Sequence, residues 1–118
     1  MTENRRLATP ASVDSLPTSA MQEDHVSLAW GAARKLRVAV ENLARILAVE
    51  LTCGARALDL RAPLRPAAGT GAAHDAVRAV VEGPGPDRWL APELAAVERI
   101  VRDGSLVAAV AGAVGALA

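Results

Sequence analysis

The densest group of side chains able to do chemistry lies in residues 11–27, where Asp14, Ser15, Gln22, Glu23, Asp24 and His25 follow one another closely. Carboxylates, an amide and an imidazole are polar or ionisable groups of the kind that move protons, but their density alone does not make a site. The same residues also read as the start of a helix, with Ser19, Gln22 and Asp24 as caps and Glu23 as a first-turn carboxylate favoured by the helix dipole. Local physics alone prefers that structural reading. Asp14, Ser15 and His25 are the side-chain types of a nucleophilic triad, but no Gly-x-Ser-x-Gly elbow frames Ser15, so a hydrolase is not expected. His25 and His74 lack partner ligands at metal spacing and read as solvated or capping residues; no metal is expected. The run at 83–86 shares only its glycine content with a phosphate loop, because its prolines remove the backbone donors that would cradle an anion.

These groups must be held by helices. Ser19-Ala20-Met21-Gln22 has capping-box spacing, with Asp24 as the competing cap. From there a long helix is predicted over 19–61, carrying Leu36, Val40, Leu43, Leu47, Leu51, Gly54 and Leu58 at steps of three and four. Small apolar residues fill much of the remaining circumference, so this helix is expected to pack on more than one side and to need neighbours. Cys53 lies near the apolar stripe and reads as a small core residue. Residues 1–18, rich in Pro, Ser, Thr and Asn, form an irregular lead-in. Pro63 and Pro66 end the long helix, and short helices follow over 62–118, at 72–82, from Pro92 to near Gly104, and at 106–114. The fold class is all-α: one long helix followed by shorter ones, an unequal set that suits part of a larger helical bundle.

Composition narrows the function. Phe and Tyr are absent and Trp30 and Trp89 are the only aromatic residues, so the apolar mass is Ala, Val and Leu, which favours helices over sandwiches. Thirteen Lys and Arg balance thirteen Asp and Glu, leaving no net field to gather nucleic acid or anionic lipid. A lone Cys53 forbids an internal disulfide and favours a cytoplasmic location. The N-terminus has no apolar run of the signal-peptide kind, and residues 106–118 are too short to span a bilayer, so no membrane partner is expected.

The segment Pro10-Ala11-Ser12-Val13-Asp14-Ser15-Leu16-Pro17-Thr18-Ser19-Ala20, followed by Gln22-Glu23-Asp24-His25-Val26-Ser27, resembles the stretch near the C-terminal end of bacterial histidine ammonia-lyases. The resemblance continues through Ala33-Arg34-Lys35-Leu36-Arg37, Asn42-Leu43-Ala44-Arg45-Ile46-Leu47-Ala48-Val49-Glu50-Leu51 and Ala55-Arg56-Ala57-Leu58-Asp59-Leu60-Arg61. It covers about half the chain. Beyond Ala62 it loosens, although Gly85-Pro86-Asp87-Arg88 and Leu90-Ala91-Pro92-Glu93 look like that family's tail.

This resemblance implies a C-terminal fragment, spanning 1–118, of a mostly helical homotetramer that eliminates ammonia from L-histidine to give urocanate in histidine catabolism. It implies a methylidene-imidazolone (MIO) cofactor built from an internal Ala-Ser-Gly tripeptide, which this sequence does not contain; the nearest string is Ala11-Ser12-Val13. It implies that Glu23 is the catalytic glutamate and that Gln22 and Glu23 bind substrate. Met21 stands where many members carry Asn, removing an amide beside Glu23. The cofactor-forming segment is expected upstream, so the chain by itself is expected to be inactive and to require that missing lyase segment as a partner. A different class of reading is a non-enzymatic helical interaction module whose long helix docks on a partner bundle.

Overall fold

The computed structural model describes residues 1–13 and 15–115. Its helices are α1 (Thr2–Leu7), α2 (Ala29–Asp59), α3 (Ala68–Arg78), α4 (Ala91–Arg102) and α5 (Ser105–Val114), with short 3-10 turns at Ala11–Val13 and Ser19–Met21. Among the described residues the only β pairing is an isolated bridge between Pro17 and His25. The chain is all-α, with one long helix followed by shorter ones. It divides into two compact units, Met1–Leu43 and Ala44–Ala118, with the boundary inside α2.

The bounds differ from the expected ones at the N-terminal end. Residues Thr2–Leu7 are helical, where an irregular lead-in is expected, because Glu3 and Arg6 pair across one turn and basic residues occupy the last turn. The long helix begins at Ala29, ten residues after the predicted Ser19 cap. There the Ser27 hydroxyl accepts the Ala29 N–H at 3.3 Å, and the ladder opens with Ala32 N–H to the Leu28 carbonyl at 3.1 Å. In this first unit Asn42 Nδ2 donates to Asn4 Oδ1 at 3.0 Å, and Lys35 Nζ donates to the Thr9 carbonyl, so α1 and the chain after it are tied to α2 by polar groups. Leu36, Val40 and Leu43, on the predicted apolar stripe, are about half or more exposed.

The second unit holds the core. Ala48, Ala55, Val77, Val81 and Val97 are buried together, with Leu51, Ala96 and Ile100 packed against them. The buried face of α2 is therefore lined by alanines, and of the predicted stripe it is Leu51 that joins this core. Cys53, read as a core residue, is exposed. Gly69 marks a close approach: a Cβ there would lie 3.2 Å from Val114 Cγ1, where α3 crosses α5. Between α4 and α5 the backbone turns at Gly104, with φ of 79°, and Asp103 Oδ1 accepts both the Ser105 N–H at 2.9 Å and the Ser105 hydroxyl at 2.6 Å.

Candidate functional site

Gln22 and Glu23 lie outside any helix, in a loop built over residues 15–27. The loop is closed at its base. Val26 N–H donates to the Leu16 carbonyl at 3.0 Å, the Ser15 hydroxyl donates to the Val26 carbonyl at 2.7 Å, and Pro17 bridges His25. Further in, Glu23 N–H donates to the Thr18 carbonyl at 3.3 Å and Gln22 N–H to the Ser19 carbonyl at 3.0 Å.

The tip reverses through three consecutive left-handed residues, Ser19, Ala20 and Met21, with φ of 50°, 54° and 69°. None is glycine, so each carries a Cβ crowded against a carbonyl at roughly 1–2 kcal/mol. This run is why the predicted capping box does not form: a right-handed first turn cannot start on left-handed residues. Asp24 does not cap a helix either, since α2 starts five residues later.

Glu23 is exposed, and Thr18 Oγ1 donates to its Oε2 at 2.7 Å. A hydroxyl bond to an ionised carboxylate is among the stronger side-chain bonds. Gln22 beside it is exposed as well. The loop thus presents a carboxylate and an amide on adjacent residues, a set that can orient and neutralise a cationic, hydrogen-bonding ligand. Met21, also exposed, adds no polar group. Next to the loop a cavity of about 460 Å³ is lined by Pro10, Ser12, Ser15, Ser27, Ala29 and Ala32, among others.

The other candidates do not assemble. Asp14 lies outside the described residues, and the Ser15 hydroxyl donates to the Val26 carbonyl. Among the described residues no cluster of His, Cys, Asp and Glu could hold a metal. The turn at 83–86 is closed by Arg88, whose Nη2 donates to the Glu82 and Gly83 carbonyls at 3.2 and 3.1 Å while also binding Glu93.

One cluster escaped sequence reasoning. His74, read as solvated or capping, has Nε2 2.7 Å from Asp59 Oδ1 and Nδ1 3.1 Å from Asp75 Oδ1; Arg78 Nη2 donates to Asp59 Oδ2 at 2.7 Å. The bonds from Asp59 and then Asp75 raise the His74 pKa above its ordinary value, and those from His74 and then Arg78 lower that of Asp59. The i,i+4 spacing of His74 and Arg78 on α3 was a signal, but Asp59 is brought to them only by the folding of α3 against the end of α2. Beside this cluster an open apolar groove of about 620 Å³ runs along Leu51, Ala55, Leu58, Val77 and Leu106.

Residues 1–79 match the aromatic amino acid lyase family. The chain is 60% identical over 119 residues to a histidine ammonia-lyase of Streptomyces avermitilis, an alignment covering 100% of this chain and 23% of that protein. It is 61% identical over 116 residues to a histidine ammonia-lyase of Streptomyces coelicolor, covering 98% and 23%. The crystal structure of a histidine ammonia-lyase from Trypanosoma cruzi superposes with a TM-score of 0.89 at 37% identity, over 96% of this chain and 22% of that one. A tyrosine aminomutase from Streptomyces globisporus gives 0.87 at 30% identity, over 95% and 22%. The chain spans just under a quarter of the length of these relatives. With a long helix, a loop of lyase-like sequence and this extent of identity, the chain belongs to the aromatic amino acid lyase family.

Proposed function

We propose that this chain is the segment of a histidine ammonia-lyase that brings Glu23 and Gln22 to an active site where L-histidine loses ammonia to give urocanate. The observation that supports it most is the identity of about 60% to two histidine ammonia-lyases, over alignments that cover essentially the whole chain. An exposed loop carrying a carboxylate and an amide suits a group that meets its substrate at a surface completed by other segments.

In that site the Glu23 carboxylate accepts a proton or stabilises the developing cation as the C–N bond breaks, and Gln22 orients the substrate. The methylidene-imidazolone group of such an enzyme supplies an electrophile that activates the amino acid for loss of ammonia. Its precursor, Ala-Ser-Gly, is not in this sequence, so it must come from a complementary lyase segment. The donor set on the loop fits a polar heterocycle and a charged amino acid, with Glu23 and Gln22 as the residues beside them. The exposed Leu36, Val40 and Leu43 of α2 suit a helix covered within the larger subunit and its homotetramer. No helix among the described residues is long and apolar enough to cross a membrane, which is compatible with a cytoplasmic enzyme.

The test is complementation. The purified chain alone should form no urocanate from L-histidine, and co-expression with a lyase segment carrying Ala-Ser-Gly should restore turnover. Turnover by the chain alone, above a boiled control, would contradict the proposal.

A further inference from the structure

Thr18 and Glu23 are joined twice. Glu23 N–H donates to the Thr18 carbonyl at 3.3 Å, and Thr18 Oγ1 donates to Glu23 Oε2 at 2.7 Å. The left-handed run Ser19-Ala20-Met21 between them makes the chain reverse sharply enough for residues five apart to meet. A glutamate in an exposed loop has three rotatable side-chain bonds and would otherwise sample many rotamers. Threonine is a stiff donor, because branching at Cβ restricts its first torsion. Its hydroxyl bonds one carboxylate oxygen, while Oε1 accepts no hydrogen bond among the described residues.

We infer that Thr18 is a positioning residue, which fixes the orientation of the Glu23 carboxylate by binding Oε2 and so leaves Oε1 to meet the substrate. This rests on the reading of Glu23 given above. A loop staple of purely structural value would hold the backbone without selecting a Glu23 rotamer, so the two roles part at the side chain.

The experiment compares Thr18→Val, which keeps the shape and loses the donor, with Thr18→Ser, which keeps the donor. In the 118-residue chain, NMR three-bond couplings of Glu23 should report one dominant χ1 rotamer in the parent and in Thr18→Ser, and averaging in Thr18→Val. In the enzyme reconstituted with the complementary lyase segment, Thr18→Val should lower kcat roughly tenfold with KM little changed, and Thr18→Ser should recover most of the loss. Unchanged Glu23 couplings in Thr18→Val, or a Thr18→Ser enzyme no better than Thr18→Val, would overturn the inference while Glu23→Ala still showed its full loss. If Glu23→Ala itself leaves turnover intact, the reading of Glu23 fails, and the role of Thr18 falls with it.

Discussion

Ser19, Ala20 and Met21 hold a backbone conformation that side chains oppose, and the loop bonds around them hold it in place. Glycine relieves the crowding, worth roughly 1–2 kcal/mol at each position, but adds about 0.5–1 kcal/mol of unfolded-state freedom. Ala20→Gly should therefore range from neutral to about 1.5 kcal/mol stabilising in denaturant melts, whereas Ala20→Val should destabilise the chain. Equal loss from both would mean that the left-handed turn is not populated. This turn was not legible in the sequence, because no glycine announces it and Ser19 with Gln22 matches a capping box. It follows from pairing Leu16 with Val26, a contact that local propensity does not register. For the same reason local physics put Glu23 in a helical first turn, while the motif around it was readable directly.

Of the elements after Pro63, α4 and α5 begin and end within a residue or two of the predicted points, whereas α3, expected at 72–82, runs over Ala68–Arg78 and takes Gly69 and Gly71 into the helix. What the pattern missed was which face of α2 is buried, since leucine spacing marks a stripe while packing selects the alanines Ala44, Ala48 and Ala55. Val97, fully buried on α4, should cost about 2 kcal/mol as Val97→Ala in a thermal melt, while Val107→Ala, more than half exposed, should change stability by less than about 0.5 kcal/mol. The contact between the end of α2 and α3 should also respond to pH. His74 has a raised folded pKa, so its contribution is complete below the ordinary histidine value and is lost as pH rises through the folded one. Asp59 has a lowered folded pKa, so its contribution is complete above the ordinary carboxylate value and is lost as pH falls through the folded one. Stability from this cluster should thus be greatest between about pH 4 and about pH 6.5, and the melting temperature should fall on the alkaline side. His74→Gln should flatten that alkaline fall; an unchanged slope would remove His74 from the explanation.

At the scale of the whole molecule, the exposed Leu36, Val40 and Leu43 leave an apolar stripe uncovered on α2, the kind of surface that association buries. Sedimentation of the purified chain should find oligomers or aggregates, and a cooperatively melting monomer would instead mark a self-sufficient small domain. Leu43→Asp places an unpaired charge on that surface and should prevent association with a complementary lyase segment. Family membership was readable from the motif around Glu23, but the burial of its helix depends on surfaces that composition and periodicity do not specify. The most direct measurement is urocanate formation by the reconstituted enzyme carrying Glu23→Ala, with assembly checked by sedimentation. Turnover should fall roughly tenfold to a thousandfold while the complex still assembles. Turnover equal to that of the parent, in an assembled complex, would contradict the assignment of Glu23 to the reacting centre.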